Sequence, residues 1–371
     1  MITQNIAFIG RQRAGKDFSV AKLKSQMKQN EDMVLVRFAE PLKTLSNIVF
    51  GEFGKDEDIK DQFFDISYQK MLGEILVEGK YPFQPVIYEL EKLLVEFYNQ
   101  LFSKEAVSSF FNGDTKVLKV NLLELEQLEP LKKFYSLEAH KLLSTYFNNE
   151  EPVSLKVFFQ QGNVVLGDDT RQALKVLMLY AHYLATHVKS DGIYTSPRIF
   201  QQVMGTDIFR TFVHPDFWAL IGYRRAENKA FQLSYTNDDI NKVFIISPDV
   251  RFPNELPPSY ENKSYKNLPS ELNYIFRQSR ENFLPMSFEE IKLLHPSEVF
   301  QELMRNYILS YVEDNFPTIF TENKLSFSFE LNFNLKDFYC KYRKEFEYFN
   351  IPMPTECGNY KLIARVNHEN N

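Results

Sequence analysis

The chain predicts an α/β fold, a parallel sheet flanked by helices and interrupted by a large mainly helical insertion. Three observations carry this expectation. Short, largely apolar runs recur at residues 6–9, 33–38, 243–246 and 272–276, as in strands buried on both faces. Helical patterns alternate with them, the order that α/β crossovers produce. Between about 66 and 189 the pattern changes to long apolar stripes: Leu90, Leu93, Leu94, Phe97 and Leu101, then Ala173, Leu174, Leu177, Tyr180, Ala181 and Leu184. The expected organisation is a discontinuous core over 1–65 and 190–371, with the mainly helical insertion over 66–189.

The first run leads into Gly10-Arg11-Gln12-Arg13-Ala14-Gly15-Lys16-Asp17, ahead of a helical pattern. Strand, glycine loop, helix is the setting of the P-loop, which holds nucleotide phosphates. Gly10 and Gly15 permit backbone conformations that a side chain would block. The loop N–H groups then turn inward, and the helix N-terminus favours negative charge. Lys16 would reach the β- and γ-phosphates. A Ser or Thr normally follows this lysine and binds Mg²⁺ through its hydroxyl; here Asp17, Phe18 and Ser19 follow. Asp17 can hold Mg²⁺ directly or through water, since the ion prefers hard oxygens and keeps several waters. A turn capped by Asp17 is the plainer alternative. In the helix, Val20, Leu23 and Met27 share one face and Lys22, Lys24 and Lys28 remain for solvent.

The run at 33–38 ends in Phe38-Ala39-Glu40-Pro41-Leu42-Lys43. Ligands of α/β sheets bind beyond the carboxyl ends of strands. There Glu40 could orient an acceptor and Lys43 meet a phosphate, or Pro41 could simply start a helix with first-turn charges. The insertion has no dense set of charged or nucleophilic residues, so its stripes read as core packing, and 153–158 fits either a strand or a short helix. Beyond it come Thr195-Ser196-Pro197-Arg198 and Gln201-Gln202-Val203-Met204-Gly205-Thr206-Asp207-Ile208-Phe209-Arg210. Arg198 and Arg210 can grip phosphate in a two-pronged way. Gln202 and Thr206 suit a base edge. Trp218 either walls an apolar pocket or packs in the core.

The run at 243–246 ends in Ser247-Pro248-Asp249-Val250-Arg251-Phe252-Pro253-Asn254-Glu255. An acid there resembles a Walker B group that helps hold Mg²⁺, and Arg251 could neutralise phosphate charge; Pro253-Asn254 also reads as a turn. His295-Pro296-Ser297-Glu298 could cap and begin a helix, and a lone His lacks the partners of a metal site. A surface loop at 257–262, a helix at 296–315, an alternating segment at 327–333 and a last strand at 360–366 complete the chain.

At 371 residues and a net charge of −6, the chain lacks the excess of Lys and Arg that a general nucleic-acid clamp needs. A local basic pocket for a small anion is still compatible with that balance. Cys340 and Cys357 lack metal-like spacing and read as free thiols of a reducing compartment. No apolar run reaches membrane-span length, and the N-terminus enters a strand without an export signal. A soluble cytoplasmic protein is expected.

Taken in order, GRQRAGKD, FAEPLK, TSPR, QQVMGTDIFR, the Asp216/Trp218 pair, DVRFPNE and HPSE resemble the deoxynucleoside monophosphate kinases of tailed bacteriophages. That family tends to carry Asp after the loop Lys and Thr next; Phe18 departs from the second habit. The resemblance spans 1–65 and 190–300 and leaves 66–189 unaccounted for. It implies a P-loop kinase-like fold in which ATP and Mg²⁺ convert a dNMP to a dNDP, in the host cytoplasm if the protein is phage-encoded. Gly10, Arg11, Arg13, Ala14, Gly15, Lys16, Asp17 and Phe18 would form the ATP site. Arg198 and Arg210 would clamp the acceptor phosphate, with Phe38, Glu40, Lys43, Gln202, Thr206 and Trp218 lining the acceptor pocket. Asp17 and Asp249 would hold the metal, and Lys16, Arg198, Arg210 and Arg251 would serve catalysis. Arg224 and Arg225 are reserve cations. The partner implied is a small-molecule dNMP acceptor, without stable nucleic acid or membrane, and the insertion's apolar stripes admit a homodimer interface. A P-loop kinase of another small acceptor and a non-catalytic, nucleotide-regulated interaction protein are the competing readings.

Overall fold

A computed structural model describes residues 2–11, 14–51, 64–65, 84–103, 115–134, 137–160, 163–190, 194–237, 239–257, 266–277, 284–316, 328–352 and 358–367. In chain order the strands are β1 (Ile2–Ile9), β2 (Glu31–Leu35), β3 (Phe64–Asp65), β4 (Thr115–Leu123), β5 (Val153–Gln160), β6 (Asn163–Leu166), β7 (Tyr194–Thr195), β8 (Lys242–Ser247), β9 (Lys266–Arg277), β10 (Ser328–Asn334) and β11 (Asn359–Asn367). The helices that matter below are α1 (Lys16–Ser25), α2 (Glu40–Phe50), α3 (Gln84–Ser103), α4 (Thr170–Tyr183), α5 (Pro197–Gln202), α6 (Phe217–Thr236) and α7 (Pro296–Asn315). A π-helical segment, Val203–Val213, continues α5. The chain divides into two units, Met1–Arg37 with Gly222–Asn371, and Phe38–Ile221.

The first unit is a mostly parallel six-stranded sheet in the order β10-β11-β9-β1-β8-β2. Only β10 runs antiparallel, against β11. Strand β1 lies inside the sheet, between β8 and β9 and parallel to both. Its apolar end, Ile6 to Ile9, is buried on both faces, which is why the run shows no alternation. On one face Ile6, Phe8, Phe244, Ile246 and Ile275 pack with Ala14 and Val20, joined by Leu23 and Met27. That is the apolar side of α1 read from the sequence. Tyr274, on the opposite pleat from Ile275, donates its hydroxyl to the Gln301 carbonyl of α7 at 3.2 Å. Helices therefore flank the sheet on both faces. The run at 33–38 forms its ladder slightly earlier than expected, over Glu31–Leu35. Val36 N–H still donates to Ile246 O at 2.7 Å before the chain leaves the sheet. Of the expected loop at 257–262, residues 258–262 lie outside the described residues.

The second unit packs helices around a small antiparallel sheet, β4-β5-β6, and also contains the short pair β3-β7. Val153–Gln160 is a strand: Val153, Leu155 and Val157 alternate inward and are fully buried. The two apolar stripes are core, as their residue types predict. Leu90, Leu93, Leu94 and Phe97 of α3 join Ala173, Leu174 and Leu177 of α4 in one cluster with Leu155 and Val157. That cluster reaches beyond 66–189, taking in Leu42 and Leu45 of α2, Phe200 of α5, Val203, Met204 and Trp218. Among the described residues, no helix is long and apolar enough to cross a membrane.

Candidate phosphate-binding and acceptor sites

In the first unit, β1 delivers the glycine loop to the middle of the sheet's carboxyl edge. Successive connections leave β1 in opposite directions, to β2 on one side and, after β8, to β9 on the other. Such a reversal opens a crevice outside the strand ends. Gly10 has φ +148°, and a Cβ there would lie 2.6 Å from the Ile275 carbonyl oxygen of β9. Glycine is therefore required twice over, by conformation and by the close approach of a backbone atom. Ala14 is buried and its N–H donates to Arg11 O at 3.2 Å, which tightens the loop. Gly15 closes it at φ +88°, standing at the N-cap of α1 with no side chain to cap the first turn. Residues 12–13, and with them Arg13, lie outside the described residues.

Lys16 turns back across this loop. Its ammonium donates to the carbonyls of Gly10 and of Arg11, the latter at 2.8 Å, and lies 3.2 Å from Asp249 Oδ1. Asp249 follows β8, the strand next to β1, so two sequence motifs far apart in the chain meet at adjacent strand ends. Its second oxygen accepts from Arg251 Nε at 2.8 Å. Burial opposes charge on Asp249, but Arg251 and Lys16 outweigh it and hold the carboxyl below the usual carboxylate range. Burial likewise works against Arg251, yet Asp249, Glu255 and Glu298 keep its guanidinium charged and raise its pKa. The arrangement is a row of alternating charge across the loop's mouth: Lys16, Asp249, Arg251.

Residues to which the sequence analysis assigned no role build this row's support. Buried Glu255 accepts the N–H groups of Arg251 at 2.7 Å and Phe252 at 3.2 Å. Tyr223 Oη shares a 2.9 Å hydrogen bond with Ser247 and donates to Glu255 O at 2.9 Å. The turn-like Pro253-Asn254 is thus a short 3₁₀ segment, Pro253–Glu255, pinned at its end. Gln301 of α7 donates to Val250 O at 3.0 Å and reaches Asp249 Oδ1 at 3.4 Å. The neighbouring Glu302 takes both prongs of Arg11, with Nη2 to Oε2 at 2.6 Å.

The metal positions can be tested on this donor set. Ser19 Oγ donates to Gly15 O at 3.1 Å inside its own helix, so it does not replace the missing hydroxyl. Phe18 is 68% exposed. Asp17 is exposed in the first turn of α1. Among the described residues no three His, Cys, Asp or Glu side chains gather as a metal cage. One ionised carboxylate at the strand end and one on the helix suit an ion that keeps most of its waters and takes phosphate oxygens, the habit of Mg²⁺. His295 caps α7, its Nδ1 accepting Ser297 N–H at 3.2 Å and sharing a 2.8 Å hydrogen bond with Ser297 Oγ. HPSE therefore starts a helix whose Glu298 faces Arg251.

The second unit contains the residues that the sequence analysis expected on an acceptor side. Ser196 caps α5 by accepting Ile199 N–H at 3.2 Å, and Pro197 occupies the first turn, where its missing donor is harmless. Arg198, Gln202, Thr206 and Arg210 then follow at intervals of four, all half-buried. In an α-helix a four-residue step overruns the 3.6-residue turn. In the π-segment hydrogen bonds span five residues, as in His214 N–H to Phe209 O at 2.9 Å, and the wider turn makes the same step fall short. The two drifts oppose each other, so the four polar residues stay on one stripe. On the buried side Gly205 approaches α2: a Cβ there would meet Leu42 Cδ1 at 2.9 Å. This contact brings the helix bearing Glu40 and Lys43 against the stripe's own segment, and Phe50 packs edge-on to Phe200 at 5.7 Å. Phe38 is buried. Trp218 is 2% exposed, donates Nε1–H to Gly205 O at 2.9 Å, and packs against Phe209 and Phe217. Of the two readings of Trp218, core packing describes what it touches; it supports the stripe from beneath. Arg224 is exposed on α6, as is Arg225. Cys340 is an exposed free thiol, and Cys357 lies outside the described residues. No protein-family model matches the chain, and no curated protein matches it.

Proposed function

We propose that the protein is an ATP-dependent deoxynucleoside monophosphate kinase with a P-loop kinase-like fold. The observation that carries this reading is Lys16, at the end of a glycine loop after β1, within 3.2 Å of Asp249 at the end of neighbouring β8. A nucleoside triphosphate and its magnesium need that pairing of ammonium and carboxylate at one sheet edge. The strand order β2-β8-β1-β9-β11 and the ordered motif set support it.

In this reading the N–H groups of Gly15 and of the first turn of α1 cradle the donor phosphates, and Lys16 transfers from carbonyl oxygens to phosphate oxygens. Asp249, with Asp17, would hold magnesium through its waters; the ion supplies charge neutralisation across the phosphates when bound. Arg251, held by Asp249 and Glu255, stabilises charge on the moving phosphoryl group. Arg198 and Arg210 bind the acceptor phosphate, while Gln202 and Thr206, with Glu40 and Lys43 from α2, read the rest of the nucleotide. Phosphoryl transfer asks of protein mainly placement and fixed charge, which these residues can supply.

A coupled ADP assay across all NMPs and dNMPs, with ATP and Mg²⁺, tests the proposal. ADP formation that requires a deoxynucleoside monophosphate is the expected result. If ATP binds but no monophosphate is turned over, the acceptor is a different small molecule. The burial of Trp218, which leaves the stripe without that aromatic wall for a base, favours this second reading.

A further inference from the structure

We infer that Glu302 is a positioning residue of the phosphate loop, acting through Arg11, and that Arg11 is a strut rather than a phosphate ligand. The inference rests on the reading of residues 10–16 as a polyphosphate site and adds how that site is held in shape. Helix α7 is apolar where it meets the core, through Val299, Phe300, Leu303, Met304 and Ile308. Between these, Gln301, Glu302, Arg305 and Asn306 are equally buried, none more than 6% exposed. Their spacing of i, i+1, i+4 and i+5 puts them on one face. Four buried polar side chains cost stability unless each is bonded, and here the partners all belong to segments framing the loop. Gln301 holds Val250 O and Asp249. Glu302 holds Arg11 with two parallel bonds. Arg305 Nη1 donates to Leu284 O at 2.8 Å. Asn306 exchanges two hydrogen bonds with the backbone of Met286, at 2.9 and 2.8 Å. Met286 in turn places its Sδ 3.6 Å from Arg11 Nη2.

Arg11 is thus fixed from two sides, by a carboxylate and by a segment that the same helix anchors. Apolar residues would stabilise a helix face as well or better than such an ion pair. What the pair adds is a defined position for the first residue after Gly10, and with it the direction of the carbonyls and N–H groups that follow.

The test uses the full-length protein at a temperature well below unfolding, with ATP binding measured by calorimetry and steady-state constants measured with a dNMP. Glu302→Gln is nearly isosteric and removes the charge. It should weaken ATP binding and raise KM for ATP by roughly tenfold or more, the scale for removing a residue that orients a binding group, with kcat kept within about twofold. Arg11→Gln should do the same, and the double variant should be no worse than either single, because the two residues act as one unit. Tighter ATP binding by Glu302→Gln would overturn the inference, since Arg11 would then be a phosphate ligand that Glu302 restrains. An unchanged affinity, even with lower thermal stability, overturns it as well. Should Glu302→Gln fail to fold, Glu302→Asp keeps the charge, shortens the reach to Arg11, and discriminates by the same signs. Failure of the wild type to bind ATP would bring down the phosphate-site reading itself, and this inference with it; failure confined to the variants' pattern removes only the inference.

Discussion

The two candidate sites are made in opposite ways. The loop after β1 is built from backbone: two glycines at positive φ, a carbonyl of the neighbouring strand against Gly10, and a lysine folded over two peptide oxygens. The stripe from Arg198 to Arg210 is built from side chains: long polar groups on a helix whose widened turn keeps them aligned. A site of the first kind tolerates almost no change at its glycines. A site of the second kind can be retuned residue by residue, because its supporting backbone is buried beneath it. Under the proposed function, a site for an invariant polyphosphate and one for a variable acceptor would make those two demands.

The largest expected effect lies at the loop. Lys16→Ala should cut turnover by orders of magnitude, about 10³-fold on the scale of losing a preorganised charge at a transferring group, while circular dichroism stays native. Turnover within a few fold of wild type would remove Lys16 from the chemistry and dissolve the contrast between the sites. The next test sets glycine against glycine. Gly10→Ala faces a fixed carbonyl oxygen at 2.6 Å and a strained φ, and should lose on the order of 3 kcal/mol in denaturant unfolding. Gly205→Ala meets the movable end of Leu42 at 2.9 Å and Trp218 Nε1 at an ordinary 3.9 Å. Its strain should be offset by the helix preference of Ala over Gly, leaving a change below about 1 kcal/mol. Equal losses at both glycines would show that the second unit's backbone is as constrained as the first's.

The smallest effect separates the units by pH. Burial in α4, reinforced by His187, pushes the pKa of His182 down to about 3. The unfolded chain takes up a proton near pH 6.5 that the folded second unit refuses, so stability falls as pH drops from about 6.5 toward 3. The slope is at most about 1.4 kcal/mol per pH unit for one proton. Asp249 acts in the same direction but at lower pH. Its carboxyl is held below the usual range, so its contribution is present above the unfolded carboxylate pKa and is lost only as pH falls through the lower folded value. Mild acid should therefore loosen the second unit before the loop's charge row. His182→Gln should flatten the pH dependence of stability; an unaltered slope would assign the acid sensitivity to other groups.

Much of this was readable from the chain because the physics was local. Buried parallel strands show as short apolar runs, and 243–246 and 272–276 fall inside β8 and β9. The helix at 296–315 matches α7 end to end. The tight glycine loop was readable because its glycines and lysine sit at fixed spacing. The unit boundary at Phe38 and Ile221 was not, because nothing local announces that Leu42 and Trp218 belong to the same core as the stripes of α3 and α4. Segment 153–158 was ambiguous for want of length, and only its pairing with β4 and β6 decides it. The polar face of α7 left a faint signal, four polar residues at i, i+1, i+4 and i+5 inside an apolar helix. Its meaning depends on Arg11, nearly three hundred residues earlier (|i−j| = 291).

The resting place of Lys16 has a last consequence. Its ammonium is already solvated by protein: two peptide oxygens and a carboxylate stand where water would otherwise be. On the proposed function, arrival of a polyphosphate would be a swap of partners, not the filling of an empty hole. A ligand shifts such an equilibrium only by the difference between its own contacts and those it displaces. An isolated anion, able to match the carboxylate but not the spaced oxygens, gains little by the exchange. In the proposed kinase a chain of linked phosphates, presenting several oxygens along the curve of the loop, would gain at each step, and the lysine's idle position would then discriminate between one phosphate and three.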